Sequence, residues 1–354
     1  MNANTPRIVI GVDTHKHVHI AHAKDHLGRP IADLQVPTTA DGYAHFVAWA
    51  HSLGHVQAVG IEGTGHYGAG LARHLREAAF IVREVGRPNR QRRARLGKSD
   101  TLDAQGAAQI ILAGEDLGQS KTADGTVEML RMLRSTRASA VRARSIAITS
   151  LQNLLVTAPQ EVRDRLSGLA PRQLVRTCAQ LKAADILTTP TDSTLSALNA
   201  LAIRYQNLDD EAVQLARHIH THAQRACPAL MELHGVGPET AATLLVAFGD
   251  NRDRITSDAA FAKLCGAAPL QASSGKTVRH RLDRGGNRQA NRALHTVIIV
   301  RMRRHQPTLD YIARRTAEGK TKKEIIRCLK RYLAREIYNT VLPAQTSPKP
   351  LDAQ

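Results

Sequence analysis

The sequence predicts an α/β amino-terminal domain, a helical middle and a mainly α carboxy-terminal domain. Three observations carry this. Short β-branched runs alternate with helical stretches in the first hundred or so residues; glycine then almost disappears from a long span rich in Arg, Ala and Leu; and a Gly-Val-Gly-Pro turn opens a further helical region.

Residues 8–12 (Ile-Val-Ile-Gly-Val) are apolar and β-branched and read as a buried strand. Polar–apolar alternation around Val18 and Ile20 predicts a second strand, and the run Leu34–Val36 a third. Helical spacing follows over Tyr43–Leu53, then a strand at Ala58–Ile61, a helix at Ala69–Ala79, a strand at Ile81–Val85 and a helix beginning near Asp100. Strand, strand, strand, helix, strand, helix, strand, helix is the element order of a ribonuclease H-like domain, a mixed sheet with flanking helices. Such alternation also fits other α/β folds.

From Val127 to Cys227, Leu130, Leu133, Ile146, Ile148, Leu151, Leu154 and Leu155 lie on helical patterns; a second helical group follows Pro171, and a third runs through Leu201–His220. Helices of this length predict either a coiled-coil pair for spacing and self-association or an ordinary helical subdomain. Next, His234-Gly235-Val236-Gly237-Pro238 precedes the helical run Glu239–Phe248. The turn either presents backbone N–H groups to a phosphate or starts a helix with Pro238 near its first position. A basic helix over Lys320–Tyr338 carries Lys320, Lys322, Lys323, Arg327, Lys330 and Arg331. The expected boundaries are 1–126, 127–228 and 229–343, with a disordered tail at 344–354.

Lys and Arg number 49 against 31 Asp and Glu in 354 residues, a formal net charge of +18. Such an excess predicts a surface that attracts phosphate backbones, with salt-dependent affinity. No apolar run approaches the ~20 residues needed to span a bilayer, so no membrane partner is expected. The residues up to Arg7 lack the apolar run of a secretory signal. Cys178, Cys227, Cys265 and Cys328 are widely spaced, which fits neither a zinc site nor a disulfide framework and predicts reduced thiols in cytoplasm. Aromatics make up 3% of the chain, too few for extended base-stacking platforms.

Four carboxylates stand out against this charge. Asp13 follows the first strand (Gly11-Val12-Asp13-Thr14-His15-Lys16) and Glu62 the fourth (Gly60-Ile61-Glu62-Gly63-Thr64-Gly65). These strands are neighbours in a ribonuclease H-like sheet, so both carboxylates meet at one end. Asp100 and Asp103 are three apart and share one helix face. Two-metal phosphoryl transfer uses such a cluster, with Mg²⁺ ions roughly 3.5–4 Å apart. Singly, each has a plainer reading: a turn cap for Asp13, a solvated strand end for Glu62, a capping pair for Asp100 and Asp103. Arg87, Arg90, Arg92, Arg93, Arg95 and Lys98 lead into the acidic helix as either a solvated charge run or a phosphate-guiding loop.

Further on, Ala268-Pro269-Leu270-Gln271-Ala272-Ser273-Ser274-Gly275-Lys276 is followed by Arg279, Arg281, Arg284, Gly286 and Asn287. Taken alone this is a basic, flexible loop. With Gly-Val-Asp13-Thr-His-Lys, Gly-Ile-Glu62-Gly-Thr-Gly, Lys-Ser-Asp100-Thr-Leu-Asp103-Ala and His-Gly-Val-Gly-Pro (234–238), it resembles the DEDD transposases of the IS110 group of insertion sequences, which are bridge-RNA-guided recombinases. The resemblance covers nearly the whole chain. It implies a RuvC-like amino-terminal domain, a coiled-coil segment and a carboxy-terminal transposase domain. It further implies that Asp13, Glu62, Asp100 and Asp103 hold Mg²⁺, with Mn²⁺ able to substitute. A serine nucleophile is also implied, and Ser274 matches best, with Ser273 as backup. Lys276, Arg279, Arg281 and Arg284, together with the basic run before Asp100, are the expected nucleic-acid contacts. Arg284 stands where many relatives carry lysine. The implied partners are donor and target DNA, a structured guide RNA and further copies of the chain (a dimer, a tetramer in the synapse). The implied location is the bacterial cytoplasm, at the nucleoid during action. Rival readings are a Holliday-junction-resolvase-like endonuclease using water, a nonenzymatic nucleic-acid-binding protein and an actin-like ATPase.

Overall fold

A computed structural model describes residues 7–85, 100–114, 119–182, 186–271, 280–281 and 283–342. The chain divides into two compact units. One comprises Met1–Ala123 with Gly249–Thr256, the other Asp124–Phe248 with Ser257–Gln354.

The first unit is built on β1 (Ile8–Thr14), β2 (Val18–Asp25), β3 (Pro30–Pro37), α1 (Ala40–Leu53), β4 (Val56–Glu62), α2 (Ala69–Glu77), β5 (Val82–Val85) and α3 (Asp100–Leu112). The sheet order is β3-β2-β1-β4-β5. β2 is antiparallel to β1 and β3, while β4 is parallel to β1 and β5. This mixed five-stranded sheet with flanking helices agrees with the expected ribonuclease H-like order. Alternation along β1 sorts its side chains to two faces. Ile8, Ile10 and Val12 join Val59, Ile61, Phe46, Leu71 and Leu75 in the core. The intervening Gly11 faces α3.

Local chemistry sets the element ends. The Asp25 carboxylate accepts the Leu27 and Arg29 backbone N–H groups, closing the β2–β3 turn. Thr39 caps α1 by accepting from the Gly42 N–H. The helix predicted over Ala69–Ala79 stops at Glu77, because Ala79 adopts the left-handed region at φ 64°.

In the second unit, α4 (Thr126–Val156) is followed by α5 (Gln160–Leu166), α6 (Pro171–Ala179) and the 37-residue α7 (Pro190–Ala226). α4 and α7 pack along each other as an antiparallel pair. At one end Leu151 and Leu155 meet Leu198 and Ala202, closed over by Val162, Leu166, Leu174 and Cys178. A capping box between Thr189 and Asp192 starts α7 well before the predicted Leu201. Then come α8 (Pro228–Glu232), α9 (Pro238–Phe248), α10 (Asp258–Leu264), the short pair β6 (Leu270–Gln271) and β7 (His280–Arg281), α11 (Arg288–Arg304), α12 (Gln306–Ala317) and α13 (Lys322–Val341). Lys320 lies outside the last helix, since Thr321 and Glu324 form its capping box. The tail beyond Pro343 lies outside the described residues.

Candidate active site

The site begins with two glycines. Gly11 of β1 and Gly60 of β4 are paired across the parallel strands and face the same helix. A Cβ on Gly11 would sit 2.2 Å from both the Ala104 carbonyl oxygen and the Ala108 nitrogen, inside the backbone of α3. A Cβ on Gly60 would meet Ile111 and Val85 at 2.9 Å. Small residues on α3, with Ala104, Ala107 and Ala108 all buried, complete the close approach. Two residues beyond each glycine, on the same face by strand alternation, stand Asp13 and Glu62. Bare backbone on the strands thus lets the helix lie low, and its first turn, Asp100 and Asp103, comes down at the strand ends.

The carboxylate environments differ. Asp13 and Asp103 are buried, whereas Asp100 and Glu62 are half-buried. Burial pushes the Asp13 carboxyl above its ordinary value. His15 opposes this, and the nearby Asp103 and Asp100 add to it. His15 Nε2 lies 3.1 Å from Asp13 Oδ2 and 3.4 Å from Asp100 Oδ2. The ligand atoms of Asp13, His15 and Asp100 all fall within 4.8 Å of one another. Glu62 is fixed through its backbone, where its carbonyl accepts the Thr14 hydroxyl at 2.9 Å and ties the ends of β1 and β4 together. Behind it, the Glu84 carboxylate accepts the backbone N–H groups of Gly63 and Thr64, and Lys121 and Arg254 lie close by.

The donor set fits a divalent cation. Carboxylate oxygens suit hard ions, and a buried Asp13 crowded by two further acids gains most from a positive partner.

His15 is the residue the sequence reading did not single out. The available signal is its position two residues beyond Asp13, at the start of the turn that follows β1. The Gly11–Gly60 pairing was equally visible as Gly-x-Asp and Gly-x-Glu at the ends of two apolar strands. By contrast, Arg87, Arg90, Arg92, Arg93, Arg95 and Lys98 lie outside the described residues, as do Ser273, Ser274, Lys276 and Arg279. The last four belong to the segment joining β6 to β7, while Arg281 and Arg284 beside it are exposed.

Other parts of the noted motifs have structural work. Gly286 packs on Gly266, where a Cβ would lie 2.1 Å from the Gly266 nitrogen. Asn287 caps α11 by accepting the Gln289 and Ala290 N–H groups. In the turn before α9, Gly235 has φ 84° and the His234 carbonyl accepts from the buried Arg301 at 2.8 Å. Pro238 is the first residue of α9. Within the basic last helix, Lys330 donates to Asn291 and Arg331 pairs with Asp258. No described helix is long and apolar enough to cross a membrane.

Residues 10–158 match a transposase family, the DEDD transposases of IS110. Residues 227–313 match a second, described as the transposase IS116/IS110/IS902 family. Over 95 residues the chain is 39% identical to an uncharacterized 43.6 kDa protein of insertion element IS110 from Streptomyces coelicolor. That similarity covers 27% of this chain and 23% of the Streptomyces protein, so it spans under a quarter of the relative's length.

Proposed function

We propose that this chain, which carries two transposase domains of the IS110 type, is the recombinase of an insertion sequence. It cuts and rejoins DNA strands by divalent-metal-dependent phosphoryl transfer, with Ser274 as nucleophile and a structured RNA as guide. The observation that carries the reading is the convergence of Asp13 and Asp100 at the sheet end, within the first matched domain. Asp103 contributes to the same field, and Glu62 ends the neighbouring strand.

Asp13, Asp100, Asp103 and Glu62 would hold Mg²⁺, with Mn²⁺ able to substitute. When bound, the cation neutralises charge that builds on the scissile phosphate. The protein's own residues do the rest. The Gly11 and Gly60 contacts fix the strand ends against α3, and the Thr14 bond to the Glu62 carbonyl holds the two strand ends in register. Such preorganisation means that the carboxylates need not move as charge develops. Ser274 Oγ loses its proton to solvent and forms the new bond to phosphorus, while the deoxyribose oxygen departs and takes up a proton, leaving a covalent protein–DNA joint. Ser273 is the alternative nucleophile. Arg281, Arg284 and the basic residues before α3 would position phosphates. The active form is a homo-oligomer assembled on donor and target DNA.

A denaturing gel of the full chain with guide RNA and a synaptic DNA substrate tests this. A covalent protein–DNA band is expected, lost in Ser274→Ala and retained in Ser273→Ala. An undiminished band in Ser274→Ala removes that serine. Strand cleavage with no covalent band in the unaltered protein replaces the serine with water, the chemistry of a junction resolvase.

A further inference from the structure

The acidic residues at the sheet end are accompanied by a nitrogen donor, a second kind of ligand beside the carboxylates. We infer that His15 is a direct ligand of the divalent cation, and that it raises the site's affinity for Mn²⁺ relative to Mg²⁺. The inference rests on the metal-site reading above and adds a residue to it.

Geometry is the first support. Bonds of about 2.1 Å from one ion place adjacent ligand atoms about 3.0 Å apart in an octahedral shell and about 3.4 Å apart in a tetrahedral one. His15 Nε2 lies 3.1 Å from Asp13 Oδ2 and 3.4 Å from Asp100 Oδ2. The ring nitrogen is therefore spaced from each of the two carboxylate oxygens as neighbouring ligands of one ion are, and all three atoms lie within 4.8 Å of one another.

Placement is the second. His15 follows β1 directly, one residue beyond Thr14, whose hydroxyl is tied to the Glu62 carbonyl. Its own backbone N–H donates to the Val18 carbonyl at 3.1 Å, which closes the tight β1–β2 turn. The imidazole is thereby carried by a short turn between two paired strands, so little ordering entropy remains to be lost on ligation. At 38% exposure the side chain still opens to solvent, the route an ion needs.

Ligand chemistry sets the selectivity. Mg²⁺ prefers oxygen and retains its water, whereas imidazole suits later divalent ions, whose affinity for nitrogen sites rises along the first transition row. An all-carboxylate site gains little discrimination between Mg²⁺ and Mn²⁺. One nitrogen donor tips it toward Mn²⁺.

The test uses the full chain and the metals alone. Electron spin-echo spectroscopy of bound Mn²⁺ is expected to show nitrogen modulation from a directly coordinated imidazole, which vanishes in His15→Ala and in His15→Gln. Equilibrium titration should show Mn²⁺ affinity falling by roughly tenfold in both variants, with Mg²⁺ affinity changing much less. Mn²⁺ bound in the unaltered protein without nitrogen modulation overturns the His15 assignment and leaves the carboxylate site standing. Equal losses of Mn²⁺ and Mg²⁺ affinity in the variants also overturn it. Failure of the unaltered protein to bind either ion, in a preparation that is folded by circular dichroism, removes both this inference and the metal-site reading.

Discussion

Asp13 is held in an environment that disfavours its own charge. It is buried and sits near Asp103 and Asp100, and among the described residues His15 relieves it. Residues arranged for chemistry often cost stability, and replacing them relieves the strain. Asp13→Asn is therefore expected to make the metal-free protein more stable by about 1 kcal/mol, while abolishing divalent-ion binding and strand cleavage. Thermal unfolding in chelator checks the first part and Mn²⁺ titration the second; a destabilised variant contradicts it. His19 is a residue-scale case with a different sign. It is fully buried on β2, stacked on Tyr43 at 5.9 Å between ring centroids. Burial lowers its pKa from 6.5 to about 4. As pH falls through 6.5 the unfolded chain takes up a proton that the folded chain refuses. The stability that His19 contributes is complete above 6.5 and is lost between 6.5 and 4, on the order of 3 kcal/mol in all. His19→Phe keeps a ring against Tyr43 without a titrating group. Urea unfolding at a series of pH values should show a shallower acid decline for His19→Phe than for the unaltered chain; parallel curves contradict the assignment.

At the scale of elements, what was legible depended on how local the cause is. β1 could be read because Ile8, Val9, Ile10 and Val12 are β-branched and broken only by Gly11, and all four are buried. α3 could be read as an acidic helix start because Asp100 and Asp103 are separated by one turn. The low seating of α3 on Gly11 and Gly60 was not read, since it needs two strands and a helix together. His15 became visible as a neighbour of Asp100 only once that helix was placed. Least legible was the stretch Gly249–Thr256, a polar Gly-Asp-Asn-Arg run that resembles any loop. It joins the first unit although the chain on either side of it belongs to the second. The Asn251 side chain accepts the Thr122 N–H at 3.2 Å and donates to the Ser120 carbonyl at 2.9 Å. Arg254, close to Glu84, belongs to the same stretch. Bonds spanning some 130 residues leave no periodic trace in sequence. Asn251→Ala leaves one donor and one acceptor unmatched, at a cost of roughly 1–3 kcal/mol. Its expected signature is local: faster hydrogen exchange at the Thr122 amide, with the amides of β1 unchanged. Unaltered exchange at Thr122 would show that the strap is held by something else.

For the molecule as a whole, the net charge of +18 frames the binding expectations. Part of that charge is used internally: Arg301 pairs with Glu336 and the His234 carbonyl, Arg144 pairs with Asp209, Arg331 and Arg335 share Asp258, and Lys330 turns inward to Asn291. Those cations are poor candidates for phosphate contacts, so a basic last helix is not by itself a nucleic-acid-binding face. The basic run before Asp100 and the residues around the serine motif remain the better candidates, with Arg281 and Arg284 exposed beside the latter. Binding through phosphates releases condensed counterions, so log K should fall linearly with log salt, by about 0.9 per phosphate neutralised on duplex DNA. With six or more contacts, affinity for a nonspecific duplex should drop by a factor of roughly a thousand or more between 50 and 200 mM salt. Replacing Arg90, Arg92 and Arg93 by alanine together should make the slope shallower by about one per contact removed, with affinity lost uniformly across sequences. Fluorescence anisotropy over a salt series measures both quantities. A combined variant that weakens binding without changing the slope would mean that these side chains act through local structure rather than on phosphate. A slope near zero in the unaltered chain would mean that the positive charge is not what holds the nucleic acid.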